Sequence, residues 1–144
     1  VFMGGSSNHY AYEVDGSRDL QARRYFGDFF LRRRSEARRP SDLITFASAR
    51  SKKEPSLNYV DNPEGGYQVL PPRFIDQQGP QWDETYDRDA ESLGTNSGRV
   101  ALRFEDRAIT AMFDGSARTM GWDGLRDMRH WSDQASTPGW GLAP

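Results

Sequence analysis

Residues 108–120 read Ala-Ile-Thr-Ala-Met-Phe-Asp-Gly-Ser-Ala-Arg-Thr-Met, and the fold class turns on how that stretch bends back on itself. Asp114-Gly115 is the strongest short hairpin signal in the chain, because a two-residue type I′ turn needs positive φ at both central positions. Such a turn pairs Phe113 with Ser116, Ala111 with Arg118 and Ile109 with Met120. It predicts strands over 108–113 and 115–120, with Ile109, Ala111, Phe113 and Met120 on one face. Upstream, residues 99–104 alternate, with Val100, Leu102 and Phe104 on one side and Ala101 and Arg103 on the other, as a third half-buried strand does. Downstream, Trp122, Leu125, Met128 and Trp131 recur every three residues. That spacing predicts a helix over 122–132, capped by Asp123, whose apolar stripe covers the sheet.

Farther out the signals thin. Pro40-Ser41-Asp42 introduces Leu43-Ile44-Thr45-Phe46-Ala47-Ser48-Ala49, short, apolar and partly β-branched, which reads as a buried strand over 43–49. Residues 50–98 are dominated by turn formers, with a strand expected at 67–70 and a shorter one near 57–60. Residues 1–19 read as irregular, the apolar residues of 20–31 fit neither period, and Ser35 to Arg38 suggest one helical turn. The tail from Gln134 is expected to be extended and anchored by Trp140. The fold class is therefore α+β: one domain over 1–144, an antiparallel meander with a C-terminal helix packed near it, and long loops.

Composition bounds the function. The 144 residues are only 35% hydrophobic, so a few of the large aromatic side chains are expected to carry the packing. There is no cysteine, which removes disulfides and thiolate metal sites. No apolar run approaches the ~20 residues that cross a bilayer. The chain starts at Val1, which suggests a processed or truncated protein. Seven arginines fall between Arg23 and Arg39 against Asp28 and Glu36 alone. In a mildly acidic protein that stripe reads as a solvated face or an interface with an acidic neighbour, with Arg32, Arg33, Arg34, Arg38 and Arg39 as its candidates, and not as a nucleic-acid footprint.

Three stretches together resemble a family. Arg39-Pro-Ser-Asp-Leu-Ile-Thr-Phe-Ala47 is followed much later by Phe113-Asp114-Gly115-Ser116-Ala117 and Leu125-Arg126-Asp127-Met128-Arg129-His130-Trp131. This resembles the C-terminal region of pseudopilin-like proteins with a prepilin-type cleavage and methylation signal, of the planctomycete type, although Ser116 stands where that family commonly has His. The resemblance implies a long N-terminal helix, absent from this chain, that serves as membrane anchor and filament spine. The chain would then be the globular head. It further implies an extracytoplasmic location, pilin-like subunits as partners, and a structural role in a type II secretion or type IV pilus-like assembly.

Catalytic chemistry has little material. His9 and His130 are the only histidines, and neither Gly-x-Ser-x-Gly nor a phosphate-binding glycine loop occurs, so no enzyme is expected. No cofactor is expected either, save one option: Asp83, Glu84, Asp87 and Asp89 concentrate carboxylates in a loop of the kind Ca²⁺ uses. Some pseudopilin heads hold calcium in such a loop; the bland alternative is a solvated acidic loop. Asp114 and Gly115 are read as a structural turn. The rival function is a carbohydrate- or ligand-binding β module, with Trp82, Trp140 and tyrosines as a stacking platform.

Overall fold

A computed structural model of the chain describes residues 31, 34–50, 69–72 and 82–141. Three strands, β1 (Ile44–Ala47), β2 (Arg107–Met112) and β3 (Ala117–Gly121), form one antiparallel sheet in the order β1-β2-β3. Two short helices, α1 (Leu93–Ser97) and α2 (Trp122–Leu125), accompany it, with 3-10 turns at Arg34–Glu36 and Met128–His130. The α+β class stands. The expected strands at 57–60 and 67–68, and the stretches 1–30 and 51–68, lie outside the described residues. Val69 and Leu70, the described end of the expected 67–70 strand, carry no strand.

The hairpin forms where Asp114-Gly115 predicts it, but with a longer loop. Met112 N donates to Ser116 O at 2.8 Å and Gly115 N to Met112 O at 3.0 Å, so three residues, Phe113, Asp114 and Gly115, lie between the paired ends. Gly115 takes φ +94°, and the Asp114 carboxylate accepts the Ser116 amide and hydroxyl at 2.9 and 2.7 Å. This is a type I turn closed by a positive-φ residue, the usual three-residue solution. The extra residue shifts the register by one, giving Ile109↔Thr119 and Ala108↔Met120. A one-residue slip exchanges the faces. Ala108, Thr110, Met112 and Met120 therefore point into the core, and Ile109, expected inside, is exposed.

The two-residue turn with two positive φ values sits elsewhere, at Glu105-Asp106 (φ +49° and +56°). Phe104 and Arg107 exchange both backbone hydrogen bonds across it, at 3.1 and 2.8 Å. Residues 99–104 are not a regular strand; they touch the sheet through isolated bridges at Ala49↔Val100 and Phe104↔Arg107. Val100, Ala101 and Leu102 are all buried while Phe104 is exposed, which overturns the expected alternation. Ser48 stitches the place where this segment leaves β2. Its hydroxyl donates to Ala101 O at 2.8 Å and accepts Ile109 N at 3.1 Å.

The expected helix over 122–132 is broken. Gly121, not Asp123, occupies the N-cap of α2, and Asp127 caps the following 3-10 turn by accepting Arg129 N. The physical reason lies in the spacing. Strict intervals of three match the 3-10 period better than 3.6, so the chain keeps its stripe inward by tightening. Leu125, Met128 and Trp131 are buried as expected, and Trp140 packs half-buried against the same core. Among the described residues no phenylalanine enters that core. Tryptophans and methionines, with aliphatic residues such as Leu43 and Ile44, fill it.

Candidate functional site

The acidic loop is built around two buried side chains. Trp82, 3% exposed, stacks on Trp122 (centroids 5.3 Å apart, planes at 20°) and meets the edge of Trp131 at 5.8 Å. Its indole nitrogen donates to Leu70 O at 3.1 Å. With its ring packed against two tryptophans, Trp82 offers no platform to a sugar, and only the half-buried Trp140 of that pair retains surface. Asn96, also buried, is the hub: Nδ2 donates to the Asp83 carboxylate and to Thr85 O, both at 3.1 Å, and Oδ1 accepts Asp87 N at 3.1 Å. Both donors and the oxygen of the Asn96 side chain therefore meet protein groups, as a buried amide requires.

The four calcium candidates follow from this arrangement. Asp83 is bonded to Asn96, the Asp87 carboxylate accepts Asp89 N at 2.8 Å, and the Glu84 carbonyl accepts the Trp122 indole and the Arg126 guanidinium at 3.1 and 3.0 Å. Among the described residues, no three His, Cys, Asp or Glu side chains converge as a metal site. The loop is held by an amide.

Of the arginine stripe, Arg32 and Arg33 and the side chain of Arg34 lie outside the described residues. Arg39 is an internal clamp: Nη2 reaches Ala135 O at 2.8 Å and the carbonyls of Ser132 and Asp133 at 3.4 Å. The Asp133 carboxylate in turn accepts the backbone amides of Arg38 and Arg39 at 3.0 and 3.3 Å. Nearby, His130 Nδ1 lies 2.8 Å from Asp42 O, and Arg118 bonds Ser41 O and sits 3.7 Å from Asp42. Asp127 takes Arg129 in a two-pronged ion pair, at 2.6 and 3.0 Å. The hydrogen bonds from Arg129 hold the Asp127 carboxyl below the usual carboxylate range.

A surface emerges on the outside of the sheet. Phe46, Phe104 and Ile109 are 63%, 51% and 44% exposed, and register places all three on one face: Phe46 opposes Ala111, Phe104 opposes Arg107, and Ile109 opposes Thr119. Directly opposed residues share a face, and alternate residues of β2 lie on the same side. Arg107 lies among them, bonded to Thr119 Oγ1 and O at 3.0 and 2.9 Å, its Nη1 3.6 Å from where a side chain on Gly121 would begin. No carboxylate among the described residues pairs with it.

The chain matches no known family, curated protein or solved structure. The sheet's outer face and the Arg39 clamp are thus read from geometry alone. Sequence reasoning missed both, since each joins residues far apart in the chain. The one available signal was Phe46, an aromatic in the middle of a strand read as buried on both sides.

No helix among the described residues is long and apolar enough to cross a membrane.

Proposed function

We propose that this chain is the globular head of a pilin-like subunit, with a structural role in a type II secretion or type IV pilus-like assembly and no catalytic activity. One observation supports the reading. The first of the stretches that carry the resemblance, 39–47, is distant in sequence from the other two, 113–117 and 125–131, yet joined to both by hydrogen bonds. Phe113 N donates to Leu43 O at 2.8 Å, Asp114 N to Pro40 O at 3.0 Å, and His130 meets Asp42 O. In this reading β2 is the middle strand of the head's meander, with β1 and β3 on either side, and residues 122–131 are its cover. The head stands outside the cytoplasm on an N-terminal membrane helix, and its neighbours are other pilin-like subunits.

Mass spectrometry of the N-terminus of the full-length gene product, isolated from its native cells, tests this. A cleaved, N-methylated residue opening a long apolar helix is the expected result. An unprocessed terminus with no such helix overturns the proposal. The rival sugar-binding reading, built on Trp82, Trp140 and tyrosines, loses Trp82 from its platform.

A further inference from the structure

We infer that the outer face of the β1-β2-β3 sheet docks one amphipathic helix of a partner chain, and that the helix carries a carboxylate beside its apolar stripe, opposite Arg107. This goes beyond the assembly reading and does not require it.

The face is apolar where a solvated sheet face is ordinarily polar. A three-stranded antiparallel sheet with one covered side is expected to alternate inward apolar and outward polar residues. Here Phe46, Ile109 and Phe104 converge outward, with Ala111 and Ala117 between the strands. Exposed apolar residues scattered singly need no explanation, whereas these three share one face of one sheet.

Three observations choose the occupant. First, area: three strands about 4.8 Å apart and five residues of about 3.3 Å each give roughly 240 Å². A face roughly 14 Å wide seats a single helix about 10 Å across. Second, charge: Arg107 has no carboxylate partner among the described residues, and its guanidinium is fixed by two bonds to neutral Thr119. Two copies stacked on this face bring like charges together, whereas a carboxylate is complementary. Third, the edge: Met112 and Ser116 bond directly, so two-residue alternation turns the Thr119 carbonyl to the open side of β3, where Arg107 takes it at 2.9 Å. A strand added at that edge meets an acceptor already used. The longest described helix has five residues, so the described part of this chain does not supply the occupant.

The test uses a fluorescein-labelled 18-residue helical peptide with leucines at i, i+3, i+4, i+7, i+11 and i+14 and glutamates flanking them, and a twin with lysines in place of the glutamates. Fluorescence anisotropy against the intact chain is expected to favour the glutamate peptide by on the order of tenfold. Arg107→Glu should invert the preference. Phe46→Ser and, separately, Ile109→Ser should abolish binding with unchanged circular dichroism. Equal affinity for the two peptides, binding of neither, or binding that survives both serine variants overturns the inference. So does a concentration-dependent dimer in sedimentation that Phe46→Ser disperses, since the occupant is then a second copy.

Discussion

Trp82 lies across the backbone of Gly98: a β-carbon built at position 98 would stand 2.7 Å from the indole Cε2, closer still to Nε1 and to Leu70 O. Gly98 ends α1 with φ +57°, and its carbonyl accepts Leu70 N at 2.9 Å, so the indole, the 69–72 segment and the helix end meet at one residue without a side chain.

Gly98→Ala therefore combines left-handed strain with overpacking against a fully buried ring. We expect a loss of about 3 kcal/mol, the two effects each being on the order of 1–3 kcal/mol. Urea denaturation followed by tryptophan fluorescence measures it; a midpoint within error of the parent contradicts the close approach.

Ser48→Ala removes one hydroxyl and strands two backbone groups, the Ile109 N–H and the Ala101 carbonyl. Ile109 is exposed and Ala101 buried, so the loss is expected at about 1 kcal/mol, the lower end of the cost of an unsatisfied group. Hydrogen exchange should show the Ile109 amide losing protection first, before the rest of β2.

The two turns respond in opposite directions. Glu105 and Asp106 occupy left-handed conformations without glycine or asparagine, so Glu105→Asn with Asp106→Gly should stabilise by about 0.5–1 kcal/mol. The Arg88–Asp106 pair that is lost is largely exposed and contributes little. Gly115→Ala meets no atom within 4 Å, yet its φ of +94° should cost about 1 kcal/mol through strain alone. Thermal melts of both variants decide it, and shifts of the same sign contradict the assignment of turn types.

Acid should weaken the C-terminal cover. The hydrogen bonds from Arg129 lower the Asp127 carboxyl, so its stabilising contribution is complete above the unfolded value of about 4 and is lost as pH falls through the lower folded value. Melting temperatures from pH 6 to pH 2 should fall less steeply for Asp127→Asn than for the parent. Parallel curves would remove Asp127 from the acid response.

Metal should not matter to the acidic loop, whereas Asn96 should. Excess EDTA or millimolar Ca²⁺ is expected to leave the melting temperature unchanged. Asn96→Ala, which frees the Asp83 carboxylate, the Thr85 carbonyl and the Asp87 amide together, is expected to cost about 2 kcal/mol. A calcium-dependent rise in stability would restore the loop as a cation site.

The positions of the hairpin, of the 43–49 strand and of the buried stripe from Leu125 to Trp131 were legible because each rests on a local period or turn signal. Register was not. Asp-Gly suits both a two-residue and a three-residue loop, and only the Met112–Ser116 pairing separates them, which in turn decides whether Ile109 or Ala108 is inside. Glu105-Asp106 lacks the glycine or asparagine that announces a turn with two positive φ values, so the sequence does not mark it as one. Trp82 stands among acids and turn formers that advertise a surface loop, yet the ring it stacks on comes from Trp122. Arg39 looked like part of a free charge stripe because its acceptors, Ser132 to Ala135, lie more than ninety residues away.

The pairing of β1 with β2 also sets a timetable. Ser48 and Ile109 are 61 residues apart, while β2 and β3 are joined by a tight loop. The local pair closes on the microsecond scale of hairpins, whereas β1 must wait for a long excursion to be searched. On the ribosome, at about 5–20 residues per second, β1 is complete roughly 3–12 s before its partner strand is made. For that interval the nascent chain carries an unpaired apolar strand, so its birth, more than its finished state, is where this molecule is vulnerable to aggregation.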